Sequence, residues 1–404
     1  MKASFSFLLT AFLSVSLPLC AADPDGAGVN THCYEFTDDT YTPAPAGYEL
    51  VYLSHYGRHG ARTSMKVTQD YEDVISTLKK ASRERNLTAQ GDSLLNESIW
   101  VYEYYLGRNG ALTRRGEAEQ HELARRIYAQ YKPVFAKGSK YVRVQTSTVP
   151  RSIVSGECFV QTLTSLQRDL HFTFDTAEKF FAFINNDCSE SNRAAVMVLR
   201  DSINALNIND GTWFMKYAFR NPEKAADSIG DVDAFQFKVW KLAREGRASG
   251  LDVNMFRHLP EEVIAKWTAD EIRNIYLRNG NSVEFGEERM KLAQPLISVM
   301  LSQACDALAT GTVAADLKFG HDYPLVATAG YFGIEGVGDR LSINDLPEKW
   351  SDPMYIPFSS NMQMVFYRNK EGNVLVKFVY NGKECTLRDL KAVSVPYYSW
   401  NDIL

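Results

Sequence analysis

A histidine set among arginines and glycines, in the run Gly57-Arg58-His59-Gly60-Ala61-Arg62, is the stretch of this chain whose side chains suit chemistry on phosphate. A neutral imidazole can attack phosphorus and carry the phosphoryl group as a covalent intermediate, which divides one difficult hydrolysis into two easier steps. His59 is the candidate nucleophile. Arg58 and Arg62 offer planar forks of N–H donors that match phosphate oxygens and spread the charge of a phosphoryl group in transit. Gly57 and Gly60 let the backbone approach closely. Taken alone, the triplet is equally compatible with a turn histidine beside two surface ion pairs, because short motifs recur by chance.

The elements around the run say how it is positioned. Residues 48–53 cluster aliphatic and aromatic side chains as a buried strand does, and the apolar run stops at the Gly- and cation-rich segment. The reading is a reactive loop at the carboxyl end of a strand, the edge of an open α/β sheet where helix N-termini converge and ligands bind. The same grammar recurs twice. Residues 141–144 read as a short strand whose polar turn, 146–150, delivers Arg151 to the start of a helix through Leu163. Residues 315–319 read as another buried strand, ending at Gly320-His321-Asp322, with Pro324 opening a helix. Ser147 is a further donor candidate. Arg143 reads first as a solvent-facing strand residue and second as one reaching the same pocket. A lone His-Asp pair also fits a plain helix N-cap.

Taken together, these landmarks carry a resemblance. Arg58-His59-Gly60-Ala61-Arg62 resembles the RHGxR signature of the histidine phosphatase superfamily, in its histidine acid phosphatase branch, which includes phytases and multiple inositol polyphosphate phosphatases. Residues 112–120, Leu-Thr-Arg-Arg-Gly-Glu-Ala-Glu-Gln, look like the family's helix start after the catalytic strand. Residues 141–152 are similar to the strand and turn that supply a third phosphate-binding arginine, and 319–322 to the late His-Asp pair. The resemblance implies that Arg58, Arg62, Arg151 and His321 hold the phosphate, and that Asp322 protonates the leaving alkoxide. An alkoxide of a sugar or inositol leaves badly unless protonated, so Asp322 must carry a proton, and burial or nearby phosphate is expected to raise its pKa. The implied enzyme needs no metal or other cofactor. Its substrate is a small phosphomonoester, with phytate or another inositol phosphate first, and a general acid phosphatase or sugar-phosphate phosphatase as the alternative. A phosphomutase and a non-catalytic phosphoester-binding protein are the remaining readings. The chain departs from the family pattern at Ser64, where many relatives carry proline, and at Tyr323-Pro324 after Asp322. It also lacks the His-Ala-Glu form common in inositol polyphosphate phosphatases. These departures fall around the leaving-group pocket.

Residues 1–22 read as a secretory signal peptide: Lys2, an apolar stretch over 5–19, then Cys20-Ala21-Ala22. Cys20 raises a second reading, a lipoprotein signal, against which Leu19 is bulky. The expectation is a periplasmic or extracellular protein with no other run long enough to span a membrane. Losing the leader removes Lys2 and no acid, so the exported form is more acidic than the net −5 of the 404-residue chain. That balance excludes a general nucleic-acid binder and requires a local cluster of arginines to draw an anionic substrate. Of the cysteines, Cys33, Cys158, Cys188, Cys305 and Cys385 follow the leader, an odd number with no zinc-knuckle spacing. Disulfides and buried thiols are both open readings.

Helical periods run over 68–80, 94–106 and from an N-cap at Thr113 to a stop at Pro133. From 171 to 292 the pattern turns to long helical segments, 193–206, 234–245 and 260–279, with few clean strands. A helix over 284–309 leads back, and 362–368 with 374–380 flank the turn 369–373 as a hairpin. The fold class expected is α/β, a mainly parallel central sheet flanked by helices, phosphoglycerate mutase-like by the resemblance, with a mostly helical cap insertion. The division expected is 1–22 signal peptide, 23–170 plus 293–404 catalytic core, and 171–292 cap setting substrate choice. Lys66, Lys140 and Arg143 are candidates for reading additional phosphates, each read first as a surface charge. Oligomeric state is left open.

Overall fold

In the computed structural model, which describes residues 27–38, 40–187, 190–204 and 211–404, the reactive run begins inside a strand. Strand β1 (Glu49–Arg58) is buried along its last seven residues. Tyr52 and Tyr56 turn to one face and Leu53 to the other, each packed in a different core cluster. Burying a side chain of this size stabilises by roughly 1.5–3 kcal/mol. Although the apolar run ends at Leu53, the strand continues through Arg58, because β4 (Ala315–Gly320) and β5 (Asn361–Arg368) pair with it on either side.

After β1 come helices α1 (Val67–Arg83), α2 (Ala89–Tyr105) and α3 (Arg114–Ala136), strand β2 (Tyr141–Thr146), α4 (Pro150–Leu166) and β3 (His171–Thr176). The chain then runs through α5 (Phe181–Ile184), α6 (Glu190–Asn204), α7 (Thr212–Ala218), α8 (Pro222–Ile229), α9 (Val232–Gly246), α10 (Glu261–Asn279) and α11 (Gly286–Thr310). It closes with β4, α12 (Asp322–Tyr331), the hairpin β5 and β6 (Val374–Tyr380), β7 (Lys383–Glu384), β8 (Tyr397–Ser399) and α13 (Trp400–Ile403). The sheet order is β3-β2-β4-β1-β5-β6-β7, with β8 against β6. The four strands from β3 to β1 are parallel, and β5 to β8 add an antiparallel edge. This is the mainly parallel sheet expected, with helices on both faces. Helices α3 and α4 cover one side through Leu123, Ile127, Phe159 and Leu163. On the other, α11 and α12 pack through Leu296, Met300 and Leu325. By length and composition α11 could cross a membrane, yet it lays Ala293, Leu296, Ile297, Met300 and Ala304 into this core.

Register sets the site. Arg58 lies opposite Gly320, and Thr146 opposite Phe319, so β1, β2 and β4 end at the same level and release their following residues side by side.

Three elements differ from the sequence reading. Strand β3, within the stretch read as helical, pairs along β2; its Phe172 and Phe174 alternate with polar residues on an edge strand, a weak period-two signal. Helix α3 passes Pro133 to reach Ala136, with Tyr131 non-helical at φ −114°, ψ 27°. Proline removes one ladder bond and kinks the helix, but burial of Val134 and Phe135 holds the next turn in place. The helical unit also draws on more sequence than residues 171–292, because Tyr71, Val74 and Leu78 of α1 and Leu94 and Val101 of α2 share one core with Phe214, Val239, Trp240 and Val263. Of the described cysteines, Cys158, Cys305 and Cys385 are unpaired thiols. The leader with Cys20, and Cys188, lie outside the described residues.

Candidate active site

His59 leaves the end of β1 with its backbone fixed on both sides. Its N–H donates to the Gly320 carbonyl, and its carbonyl accepts from Ser359. The loop then turns against α3. The Gly60 and Gly116 backbones touch so closely that a Cβ on Gly60 would lie 2.7 Å from the Gly116 Cα. The Ala61 N–H donates to Glu119 Oε2 at 3.0 Å, Thr113 Oγ1 donates to the Ala61 carbonyl at 3.0 Å, and Gln120 Nε2 donates to the Arg58 carbonyl at 3.2 Å. Residues 113–120 therefore brace the reactive loop as well as starting a helix. From α4, Ser155 Oγ accepts the Gly60 N–H at 3.0 Å.

The His59 ring is buried and its Nδ1 lies 2.9 Å from the Gly60 carbonyl. A carbonyl oxygen can only accept, so Nδ1 carries the proton and the lone pair is left on Nε2. Burial, with Arg151, Arg58, His321 and Arg62 nearby, holds the imidazole well below its ordinary pKa, so it is neutral in mildly acidic solution. His321 sits edge-on to it, ring centroids 5.5 Å apart, and is itself depressed to about 3 by burial and then Arg151. Tyr323 stacks on His321 at 5.3 Å and 11°, fixing the ring plane, and Tyr56 OH receives the His321 N–H at 3.0 Å.

Three guanidiniums surround this pair. Arg58 is wholly buried. Its Nη1 donates to the carbonyls of Asn30, Ile356 and Pro357 at 2.7–2.9 Å, and its Nη2 meets Asp322 Oδ2 at 3.2 Å. Arg58 and Arg62 lie over the Phe358 ring, 4.8 and 5.9 Å from its centroid. Arg151, at the start of α4, is lowered to about 10 by burial and by Arg62 and Arg58. Among the described residues, the buried Nε–H donors of Arg58 and Arg151 have no acceptor. Three mutually repelling cations with unused donors, beside two neutral imidazoles and one carboxylate, favour a bound oxyanion.

Asp322 differs from expectation. Burial alone raises its pKa, but Arg58, the Asn30 amide at 3.1 Å and His321 outweigh it, so the net shift is downward and the carboxyl is ionised in the ligand-free molecule. It begins α12, and its Oδ1 accepts the Tyr323 N–H at 3.1 Å.

Residues 54–210 match the family model of the histidine phosphatase superfamily (branch 2). Those residues make up 157 of the chain's 404. The matched span holds His59, Arg58, Arg62 and Arg151, whereas His321 and Asp322 lie beyond it and are brought in by β4. Among solved structures, the chain is similar to the apo multiple inositol polyphosphate phosphatase of Bifidobacterium longum, at 14% identity and TM-score 0.73, covering 93% of this chain and 96% of that one. The same Bifidobacterium longum enzyme in complex with inositol hexasulfate gives TM-score 0.70 over the same shares at 14% identity. The phytase of D. castellii matches at 15% identity and TM-score 0.69, over 97% of this chain and 87% of that one. No curated protein matches the chain by sequence.

The fold gathers Arg58, His59, Arg62, Arg151, His321 and Asp322 at one sheet edge. Ser147 joins them, its Oγ 3.4 Å from His321 Nε2. Arg143 and Lys140 are used elsewhere. Arg143 forms a two-pronged pair with Asp316 at 2.8 Å, and Lys140 caps the Phe135 and Ala136 carbonyls at the end of α3 while pairing with Asp169. Lys66 is exposed at the start of α1. Sequence reasoning missed Asn30, Ser155, Phe358 and Ser359, for which no local motif exists. Glu119 and Gln120 lie within residues 112–120, but their bracing of the loop comes from tertiary contacts.

Proposed function

We propose that this chain is a histidine phosphatase of branch 2 that hydrolyses phosphomonoesters through a phosphohistidine on His59. The observation that carries the proposal is the Nδ1 contact with the Gly60 carbonyl, which leaves Nε2 as a nucleophile among three arginines. Nε2 attacks phosphorus while Arg58, Arg62, Arg151 and His321 hold the phosphoryl oxygens. The ester P–O bond breaks as the P–N bond forms, and the Asp322 proton passes to the departing alkoxide. Asp322, now a carboxylate, takes a proton from the water that attacks phosphorus. The P–N bond breaks, orthophosphate leaves, and His59 and Asp322 return to their starting states. For Asp322 to act first as an acid, the substrate dianion must draw Arg58 to itself and place negative charge beside the carboxyl, both of which raise its pKa.

Inositol phosphates such as phytate are the substrates we favour. The cation excess at the sheet edge and the names of the structural neighbours support this reading, and a less selective acid phosphatase is the alternative. We extend the proposal to export through residues 1–22, on the leader pattern in the sequence. The test is orthophosphate release from phytate and from p-nitrophenyl phosphate between about pH 4 and 7, with chelator present, comparing unmodified protein with His59→Ala. Chelator-resistant release that disappears in the variant supports the mechanism, and the ratio of kcat/KM values measures the preference for phytate. An active His59→Ala protein overturns the nucleophile assignment.

A further inference from the structure

The amino-terminal segment reaches the acid of the site from the far end of the sequence. Asn30 is 292 residues from Asp322, yet its Nδ2 donates to Asp322 Oδ2 at 3.1 Å while its backbone carbonyl accepts from Arg58 Nη1 at 2.7 Å. One residue thus holds both members of the Arg58–Asp322 pair. The amide is itself oriented from the helical unit, because its Oδ1 accepts from Arg244 Nη2 of α9 at 2.6 Å. Arg244 is in turn paired with Glu271 of α10 at 3.1 Å and lies over Trp240, 4.8 Å from the ring centroid. The segment is anchored around this point: Thr31 Oγ1 donates to the Arg244 carbonyl at 3.2 Å, and the His32 carbonyl accepts the Phe358 N–H at 2.8 Å. An amide with its oxygen already committed to a guanidinium can offer only N–H to the carboxylate, so its flip state is determined.

We propose that Asn30 is a positioning residue for the general acid, fixing the Asp322 carboxyl toward Arg58 and tying its proton affinity to the helical unit through Arg244 and Glu271. This rests on the phosphohydrolase reading above. Other groups facing Asp322 are Arg58 on β1, Arg151 on α4, His321 and Tyr323 around the start of α12, Tyr56 on β1 and Tyr380 on β6. Of these, the cations favour the carboxylate and the tyrosines oppose it only if ionised, so removing the neutral Asn30 donor moves the balance toward the protonated acid.

The experiment has two arms on Asn30→Ala, with Glu271→Gln as a second variant that leaves Asn30 in place. In the first, carboxyl carbon NMR of aspartate-labelled protein follows the Asp322 titration without substrate, the signal being assigned by Asp322→Asn. Asn30→Ala should move that titration upward, and Glu271→Gln, which removes an anion and leaves Arg244 to polarise the Asn30 amide more strongly, should move it downward by less. In the second, kcat for glycerol phosphate should fall about tenfold or more in Asn30→Ala, because the carboxyl, though more readily protonated, is no longer held in place, while kcat for p-nitrophenyl phosphate, whose leaving group needs little protonation, stays within about threefold. An unmoved Asp322 titration in both variants overturns the proposal, as does an equal loss on the two esters. An inactive unmodified protein would sink the hydrolase reading instead, and the substrate-free titration would still decide whether Asn30 governs Asp322.

Discussion

His55, four residues before His59 on β1, should make the protein lose stability in acid for a reason unrelated to catalysis. Its ring is 1% exposed and packs 5.4 Å from Phe159 and 5.7 Å from Phe319, and among the described residues its Nδ1 has no partner. Burial, with Lys318 adding repulsion, lowers it to about 3. An unfolded histidine titrates near 6.5. The folded pKa is depressed, so the neutral ring is fully accommodated above about pH 6.5. As pH falls from there toward 3, the unfolded chain binds a proton that the folded one refuses. Each pH unit in that window costs about 1.4 kcal/mol, so at about pH 4.5 the single residue removes roughly 2.7 kcal/mol. Urea unfolding followed by tryptophan fluorescence, at about pH 7 and about pH 4.5, isolates this contribution when unmodified protein is compared with His55→Leu. The packing difference between the two side chains is the same at both pH values and cancels. The unmodified protein should lose about 2–3 kcal/mol more than the variant between the two conditions. Equal losses would refute the buried-neutral account of His55.

Two further outcomes follow from the geometry. Arg143→Met leaves Asp316, 1% exposed, with Tyr52 at 2.6 Å but without its two-pronged cation, and should cost about 3–5 kcal/mol in urea unfolding. KM for a phosphoester should stay within about twofold in that variant, since Arg143 touches no part of the site; a large rise in KM would return it to substrate binding. Gly116→Ala places a methyl 2.6 Å from the Ala61 nitrogen, against backbone that cannot yield without moving the reactive loop. It should cost about 1–3 kcal/mol and depress kcat, read by urea unfolding and steady-state rates, and full activity at unchanged stability would show that the loop does not need this contact.

The legible part of this molecule is what a few neighbouring residues decide. Strand, polar tip and helix were readable at His59, Arg151 and His321, because hydrophobic periodicity switches there within a dozen residues. Thr113 is the N-cap it was read as, its side chain accepting from the Gly116 N–H. The edge strand at Phe172 and Phe174 was obscured by polar, exposed alternation, and the stop at Pro133 failed because burial of the following turn offsets one lost hydrogen bond. The downward shift of Asp322 in the ligand-free molecule has a similar reason. Burial was the foreseeable influence, whereas the stronger ones come from Arg58 and Asn30, hundreds of residues away in the chain.

By itself the sequence determined which chemical groups are present and that each of the three key segments ends at a strand-to-helix turn, since backbone propensity and hydrophobic pattern act over short distances. Only the tertiary structure decided that those turns stand at one level, through the pairing of β1 and β2 with β4, and that the His59 proton rests on Nδ1. Tertiary folding also recruits Asn30, Arg244 and Glu271 to Asp322. Charge and hydrogen-bond effects act through space, and the neighbours that set them are chosen by the packing of the whole chain.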